Sequence, residues 1–436
     1  MFNRKKSLPL NSLEKFILAH ESDYVSYNSQ ICVEYNGELE LAKLRFAVDK
    51  CIHEIPLLRS SVTRGILNYH RTYKDKIKLN SESVVSYIDH VLSQDEIDTF
   101  SCAKFNLNIP PLFRILISPL GLNSSNRYLL IFNVHHTLCD AAGQFHLLEE
   151  IFRAFDGLEI RKEAKLPRVF RYRHLTEYMG WKWVLKNIKE QFKPLSKQRH
   201  YQMATLIDHP ERLDRLVSSR TIYLTADEQE KILRECKKRD ISITEYLTTN
   251  CMKAMDKTLN KKGDTKTPIM VYLPKTLRPL LKIRYSLQNI LSTVLIVGKR
   301  EDLHKEEFYS KVKYLISSHK MDKASKFIFS TLLPTAILPP RSVEKIYHGL
   351  DQDRNSITSS MLLSAGRVPR SFHFPNSFSD ITVWARGTML KSPGFGVIFT
   401  GVSGSETITI EYLKNLSDLS TILDFEENLM EFLLND

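Results

Sequence analysis

The chain has 436 residues, of which 42% are hydrophobic and 26% charged, and it carries a net charge of +12. That length suits two lobes of about 200 residues each, and the composition excludes a disordered, fibrous or low-complexity protein. No run of about 18 apolar residues occurs and the basic start lacks a following apolar stretch, so neither a membrane span nor a secretory signal is expected.

In chain order, residues 9–20 read as a short helix capped by Asn11 or Ser12, 24–35 as a strand, and 39–53 as a helix with apolar residues at helical spacing. Pro56 ends that helix and 55–62 runs into an extended segment. Strands and turns are expected over 66–92, a helix over 94–103, and a turn then a strand over 105–119. A buried strand follows over 128–134 and an amphipathic helix over 143–155. Residues 156–215 break the pattern and are rich in Lys and Arg. A second α/β set then begins: strand 220–224, helices 227–239 and 244–259, strands 269–273 and 293–297, and helix 305–319. The proline-bearing region 322–380 gives no clear pattern. The end reads as a hairpin, 396–402 and 407–413 around SGSE, followed by a helix over 417–434. The expected division is a first lobe over 1–165, a basic connector over 166–215 and a second lobe over 216–436.

Six cysteines are scattered without a CxxC or CxxH pair, which indicates neither a disulfide framework nor a zinc site and fits a reducing cytoplasm. The positive charge serves solubility or attraction to an acidic partner. Nucleic acid is not the expected partner, because no helix-turn-helix, zinc finger or RNA-binding aromatic motif is present.

The sharpest chemical feature is the stretch YLLIFNVHHTLCDAAGQFHLLEEIF, with His135, His136 and Asp140 directly after a buried strand. Polar groups are costly to bury without partners, so the cluster needs an explanation. One is base catalysis: a neutral imidazole of pKa about 6.5 accepts a proton from a hydroxyl, amine or thiol attacking a carbonyl. The other is a pair of histidines satisfied by backbone groups at a strand end. Cys139 reads as a small buried thiol and His146 as a packing residue. The basic run 168–175 with Trp181 and Trp183 reads as a solvated connector face or a contact for phosphates.

The motif resembles the HHxxxDG signature of the coenzyme A-dependent acyltransferase superfamily. That group includes chloramphenicol acetyltransferase, the condensation domains of nonribosomal peptide synthetases, and the polyketide-associated, wax ester and alcohol acyltransferases. LNSLEKFILAH at 10–20, HEIPLLRSSV at 53–62, FNLNIPPLFRILI at 105–117, RTIYLTADEQEKILRECKKRDISITEYLTTNCMKAM at 220–255 and LPKTLRP at 273–279 are similar to further family stretches, in the same order. The resemblance implies an α/β (α+β) fold of two chloramphenicol acetyltransferase-like lobes with mixed sheets and a tunnel between them. It implies His136 as general base, a supporting role for His135, and a structural Asp140 paired with an arginine, expected to be Arg59. The implied donor is an acyl-CoA or an acyl carrier protein thioester, the acceptor a hydroxyl or amine, with no metal and no permanently bound cofactor. Candidate oxyanion donors are backbone amides near the motif or a hydroxyl of Ser359 or Ser360, two serines that also read as polar surface. Ala141 stands where the family has glycine, and Gln288-Asn289 where glycine-asparagine is usual. Two alternatives accompany this reading: a stand-alone condensation enzyme acting on carrier-bound groups, and a non-catalytic scaffold that keeps the fold, which Ala141 favours.

Overall fold

The computed structural model describes residues 7–21, 26–38, 40–66, 68–74, 81–121, 126–161, 203–209, 211–212, 216–320, 338–345, 359–389, 393–402 and 404–435. The connector run 168–175, Trp181 and Trp183 lie outside the described residues.

The first half opens with β1 (Ser7–Pro9) and α1 (Ser12–His20). Asn11 caps α1: its side chain accepts from the Glu14 amide while Glu14 accepts from the Asn11 amide, so two otherwise orphaned helix donors are satisfied. The strand β2 (Asn28–Asn36) is followed by α2 (Leu41–Glu54), which buries Leu44, Ala47, Val48, Cys51 and Ile52 at helical spacing. A single 3-10 turn, Pro56–Arg59, leads into β3 (Ser60–Arg64), and β4 (Tyr69–Tyr73) pairs with both β1 and β3. The short α3 (Ser81–Val84), β5 (Val85–Tyr87), α4 (Gln94–Cys102), β6 (Phe113–Pro119), β7 (Arg127–His135) and α5 (Ala141–Phe155) complete this half.

In the second half, β8 (Val217–Tyr223), β9 (Ile269–Thr276), β10 (Leu291–Gly298), β11 (Met361–Ala365), β13 (Phe395–Val402) and β14 (Ser405–Leu413) form a mixed six-stranded sheet. Its order is β10-β9-β11-β13-β14-β8, with β11 parallel to both neighbours. The helices α6 (Ala226–Lys238), α7 (Ile243–Lys261), α8 (Glu307–Ser317) and α9 (Leu419–Asn435) pack their apolar faces into its core.

The five-stranded sheet of the first half, β12-β2-β7-β6-β5, takes its outer strand β12 (Ser379–Arg386) from far along the chain. The segment leading into β12 places Val368 and Phe372 in the first core, alongside Phe152 and Phe155 of α5. The two halves are therefore joined by a shared sheet. The motif strand β7 lies at the centre of that sheet, with Leu130, Phe132 and Val134 in the core shared with α2 and α5. Leu129 and Ile131 point to the opposite face, against Ile97 and Phe100 of α4. This is the mixed α/β class expected from the sequence. Among the described residues, no helix is long and apolar enough to cross a membrane.

Candidate active site

The chain turns sharply where β7 ends. The His135 amide and carbonyl are both engaged: the amide donates to the Leu112 carbonyl at 2.9 Å, and the carbonyl accepts from the Leu138 amide at 2.8 Å. His136 and Thr137 thus occupy the two central positions of a tight turn. The His136 amide donates to the Tyr27 carbonyl at 2.7 Å, tying the turn to the start of β2.

His136 is partly exposed, whereas His135 is fully buried. Asn289, from the second half, fixes the His136 ring. Its amide nitrogen donates to the His136 carbonyl at 2.9 Å, so its amide oxygen is the atom that faces His136 Nδ1, at 3.1 Å. Nδ1 must then carry the proton and Nε2 keeps a free lone pair, the form a general base requires. Burial pushes the His136 pKa below the ordinary histidine value. Its own carbonyl, the Asp140 charge and Asn289 pull the other way without cancelling that effect. The imidazole is neutral at neutral pH.

His135 is held in the opposite tautomer. The Thr137 amide donates to its Nδ1 at 3.2 Å, with the Thr137 hydroxyl at 2.7 Å, which leaves Nε2–H to donate to Glu21 at 3.2 Å. These contacts tie His135 to the turn and to Glu21.

Asp140 caps α5, accepting from the Gly143 amide at 2.8 Å. It also forms a bidentate pair with Arg278, both contacts at 2.8 Å, and accepts from the Ile290 amide at 2.8 Å. Arg278 continues to the carbonyls of Ser286, at 3.0 Å, and Gln288, at 2.8 Å. The carboxylate's partner is therefore Arg278 and not Arg59, which corrects the sequence expectation. Arg59 closes the 3-10 turn after α2, and its guanidinium folds back onto the Ile52 and His53 carbonyls at the end of that helix and onto Lys74. Those terminal carbonyls lack helical partners, and a cation there also meets the negative end of the helix dipole.

The glycine question resolves in the same place. Ala141 is exposed at the first position of α5. Gly143 is the position that needs glycine, because a β-carbon there would overlap the Leu287 carbonyl. This close approach lets the 286–290 segment reach Asp140 and deliver Asn289 to His136. Cys139 is buried beside Gly143. His146 packs edge-on against Tyr285, and burial together with Arg278 and Arg161 pushes its pKa down to about 4.

Ser360, one candidate oxyanion donor, lies against β9. Its hydroxyl accepts from the Met270 amide at 3.0 Å and its amide donates to the Met270 carbonyl. Met270 lies six residues along β9 from Thr276, the end nearest Arg278, which is roughly 20 Å at strand rise. Ser359, beside it, is buried. Among the described residues no cluster of His, Cys, Asp or Glu could hold a metal ion.

The sequence reading did not assign roles to Arg278 or Asn289. Both lay in stretches it singled out, LPKTLRP and Gln288-Asn289, so the signal was the arginine of one and the asparagine of the other.

The condensation domain family model matches residues 8–269. Tyrocidine synthase 2 of Brevibacillus parabrevis is 25% identical over 155 residues, covering 35% of this chain and 4% of that protein. Surfactin synthase subunit 1 of Bacillus subtilis (strain 168) is 29% identical over 138 residues, covering 31% of this chain and 4% of that protein. The chain thus spans a small fraction of either curated relative's length. Among solved structures, the first condensation domain of the CDA synthetase aligns over 99% of this chain and 97% of its own, with TM-score 0.67 and 16% identity. The epimerization domain from the third module of tyrocidine synthetase B aligns over 99% and 96%, with TM-score 0.66 and 13% identity.

Proposed function

The chain belongs to the condensation domain family, and from that premise we propose that it transfers an acyl group from a carrier-bound phosphopantetheine thioester to an amine or hydroxyl acceptor, with His136 as general base. The observation that carries this reading is the fixed tautomer of His136, whose Nε2 is left as a neutral acceptor by Asn289. In this reading Nε2 takes the acceptor's proton as its nitrogen or oxygen attacks the thioester carbonyl. The tetrahedral intermediate then collapses, the carbon–sulfur bond breaks, and the proton passes to the leaving thiolate. Backbone amides near the motif remain the candidate oxyanion donors.

The similarity to tyrocidine and surfactin synthases supports a carrier-bound donor over free acyl-CoA, and the net charge of +12 suits an acidic carrier protein. Ala141, the feature that favoured a non-catalytic scaffold, sits exposed at the start of α5 and leaves the contact at Gly143 intact. The test supplies a panel of acyl groups, short to long, both on a phosphopantetheinylated carrier protein and on coenzyme A, with pooled amine and alcohol acceptors. Acceptor-dependent product from the carrier-bound donors supports the proposal. Product only from coenzyme A thioesters would move the donor to free acyl-CoA, and no product from either would favour the scaffold reading.

A further inference from the structure

The turn that presents His136 is anchored on one side by the second half of the chain, through Asn289 and the Asp140–Arg278 pair. A second anchor comes from β4, a strand to which the reaction above assigns nothing. Arg71 is 4% exposed, and its guanidinium reaches three different elements. It donates to the Thr137 carbonyl at 2.7 Å, to the Ser60 hydroxyl at 2.9 Å and to the Glu14 carboxylate at 3.2 Å. A buried guanidinium is costly unless paired, and Glu14, itself 7% exposed, supplies the countercharge while its other oxygen caps α1.

Thr137 is the node of this arrangement. Its amide and hydroxyl hold His135, and its carbonyl is held by Arg71. Rotation of the Thr137–Leu138 peptide would swing the preceding residue, so a charge-assisted bond at that carbonyl sets the turn's orientation. We propose that Arg71, neutralised by Glu14, is a positioning residue for His136. It acts through the Thr137 carbonyl to keep the imidazole aimed at Asn289 and therefore in the Nδ1-protonated form. This inference rests on the reading of His136 as the base, but its first readout does not.

The experiment uses the full chain with 15N-labelled histidine, the His136 signals being identified by their loss in His136→Ala. Wild type is expected to show the Nδ1–H tautomer. In Arg71→Met, that tautomer should lose its dominance and the titration midpoint should move. With a competent donor, kcat should fall about tenfold to a hundredfold with KM little changed, the signature of a misplaced catalytic group. Arg71→Lys keeps the charge for Glu14 and one donor for Thr137, and should recover most of the tautomer and rate. If Arg71→Met does not fold, Glu14→Gln, which removes the countercharge that holds Arg71 in place, gives the same spectroscopic comparison. A wild-type tautomer and midpoint in folded Arg71→Met, or in Glu14→Gln where Arg71→Met does not fold, would overturn the proposal. Absence of any transfer activity in wild type would instead count against the base assignment while leaving the spectroscopic result to judge Arg71.

Discussion

Replacing Glu411 by glutamine should make the protein more stable, and increasingly so as pH rises. Glu411 lies on β14 and is fully buried where β12 leaves the first sheet, with one oxygen accepting from the Gly387 amide at 2.6 Å. The nearby cation, Arg386, is committed elsewhere: it pairs with buried Asp98 at 2.8 Å and donates to the Val217 carbonyl at 3.0 Å. Burial therefore outweighs the pull of Arg386 and the Gly387 amide, and pushes the Glu411 pKa from 4.5 up to about 8. Cys32 and Cys102, the other ionisable groups beside it, are held in the neutral thiol form by burial. Between pH 4.5 and about 8 the folded state keeps a proton that the unfolded chain has released, so stability declines as pH rises. The slope is about 1.4 kcal/mol per pH unit, or about 5 kcal/mol across the interval. Glutamine retains the carbonyl acceptor for Gly387 and abolishes this slope. Urea unfolding of wild type and Glu411→Gln at several pH values across the interval reads the difference directly. The gap should widen in favour of glutamine by about 1.4 kcal/mol per unit and level off above about pH 8. Parallel stability curves would show that Glu411 does not carry that slope.

Four further outcomes follow from the site. Gly143→Ala forces a methyl group against the Leu287 carbonyl and should cost about 1–3 kcal/mol by denaturant unfolding, with transfer activity lost because Asn289 moves with that segment. Ala141→Gly, the change toward the family pattern, should leave the rate within about twofold, since the methyl is exposed. Asn289→Asp sets a carboxylate beside Nδ1 and should raise the His136 pKa, so the acid limb of the pH–rate profile shifts to higher pH. Asp140→Asn breaks the bidentate pair with Arg278 and should cost about 3–5 kcal/mol of unfolding free energy.

The sequence carried the elements whose burial pattern is periodic and local. The cap at Asn11, one of the two candidates, the apolar spacing of Leu44, Ala47, Val48, Cys51 and Ile52, and the unbroken run of β7 all appear where expected. Strand β11, inside the 322–380 region, and β12, mostly just past it, were not read from the sequence. Strand β12 pairs with β2 across more than three hundred residues, and nothing in its local sequence points to that partner. The same limit governed the site. His135, His136 and Asp140 are close in sequence and were legible together, whereas the partner of Asp140 is 138 residues away. Arg59 was the nearer candidate in the chain, but the end of α2 offers it backbone carbonyls at once. Arg71 gave no signal, because one buried arginine in a short strand reads like any alternating polar position until its three acceptors are placed around it.

In the proposed reaction a neutral His136 removes the acceptor's proton. Single-turnover acyl transfer from a loaded carrier protein to an amine acceptor, measured against pH in wild type and His136→Ala, reads that step. Wild type should show an acid limb with a midpoint below the ordinary histidine value of 6.5, and the mutant should lose about 10²–10⁴ in rate together with that limb. Transfer at the wild-type rate by His136→Ala, with the same pH dependence, would contradict it.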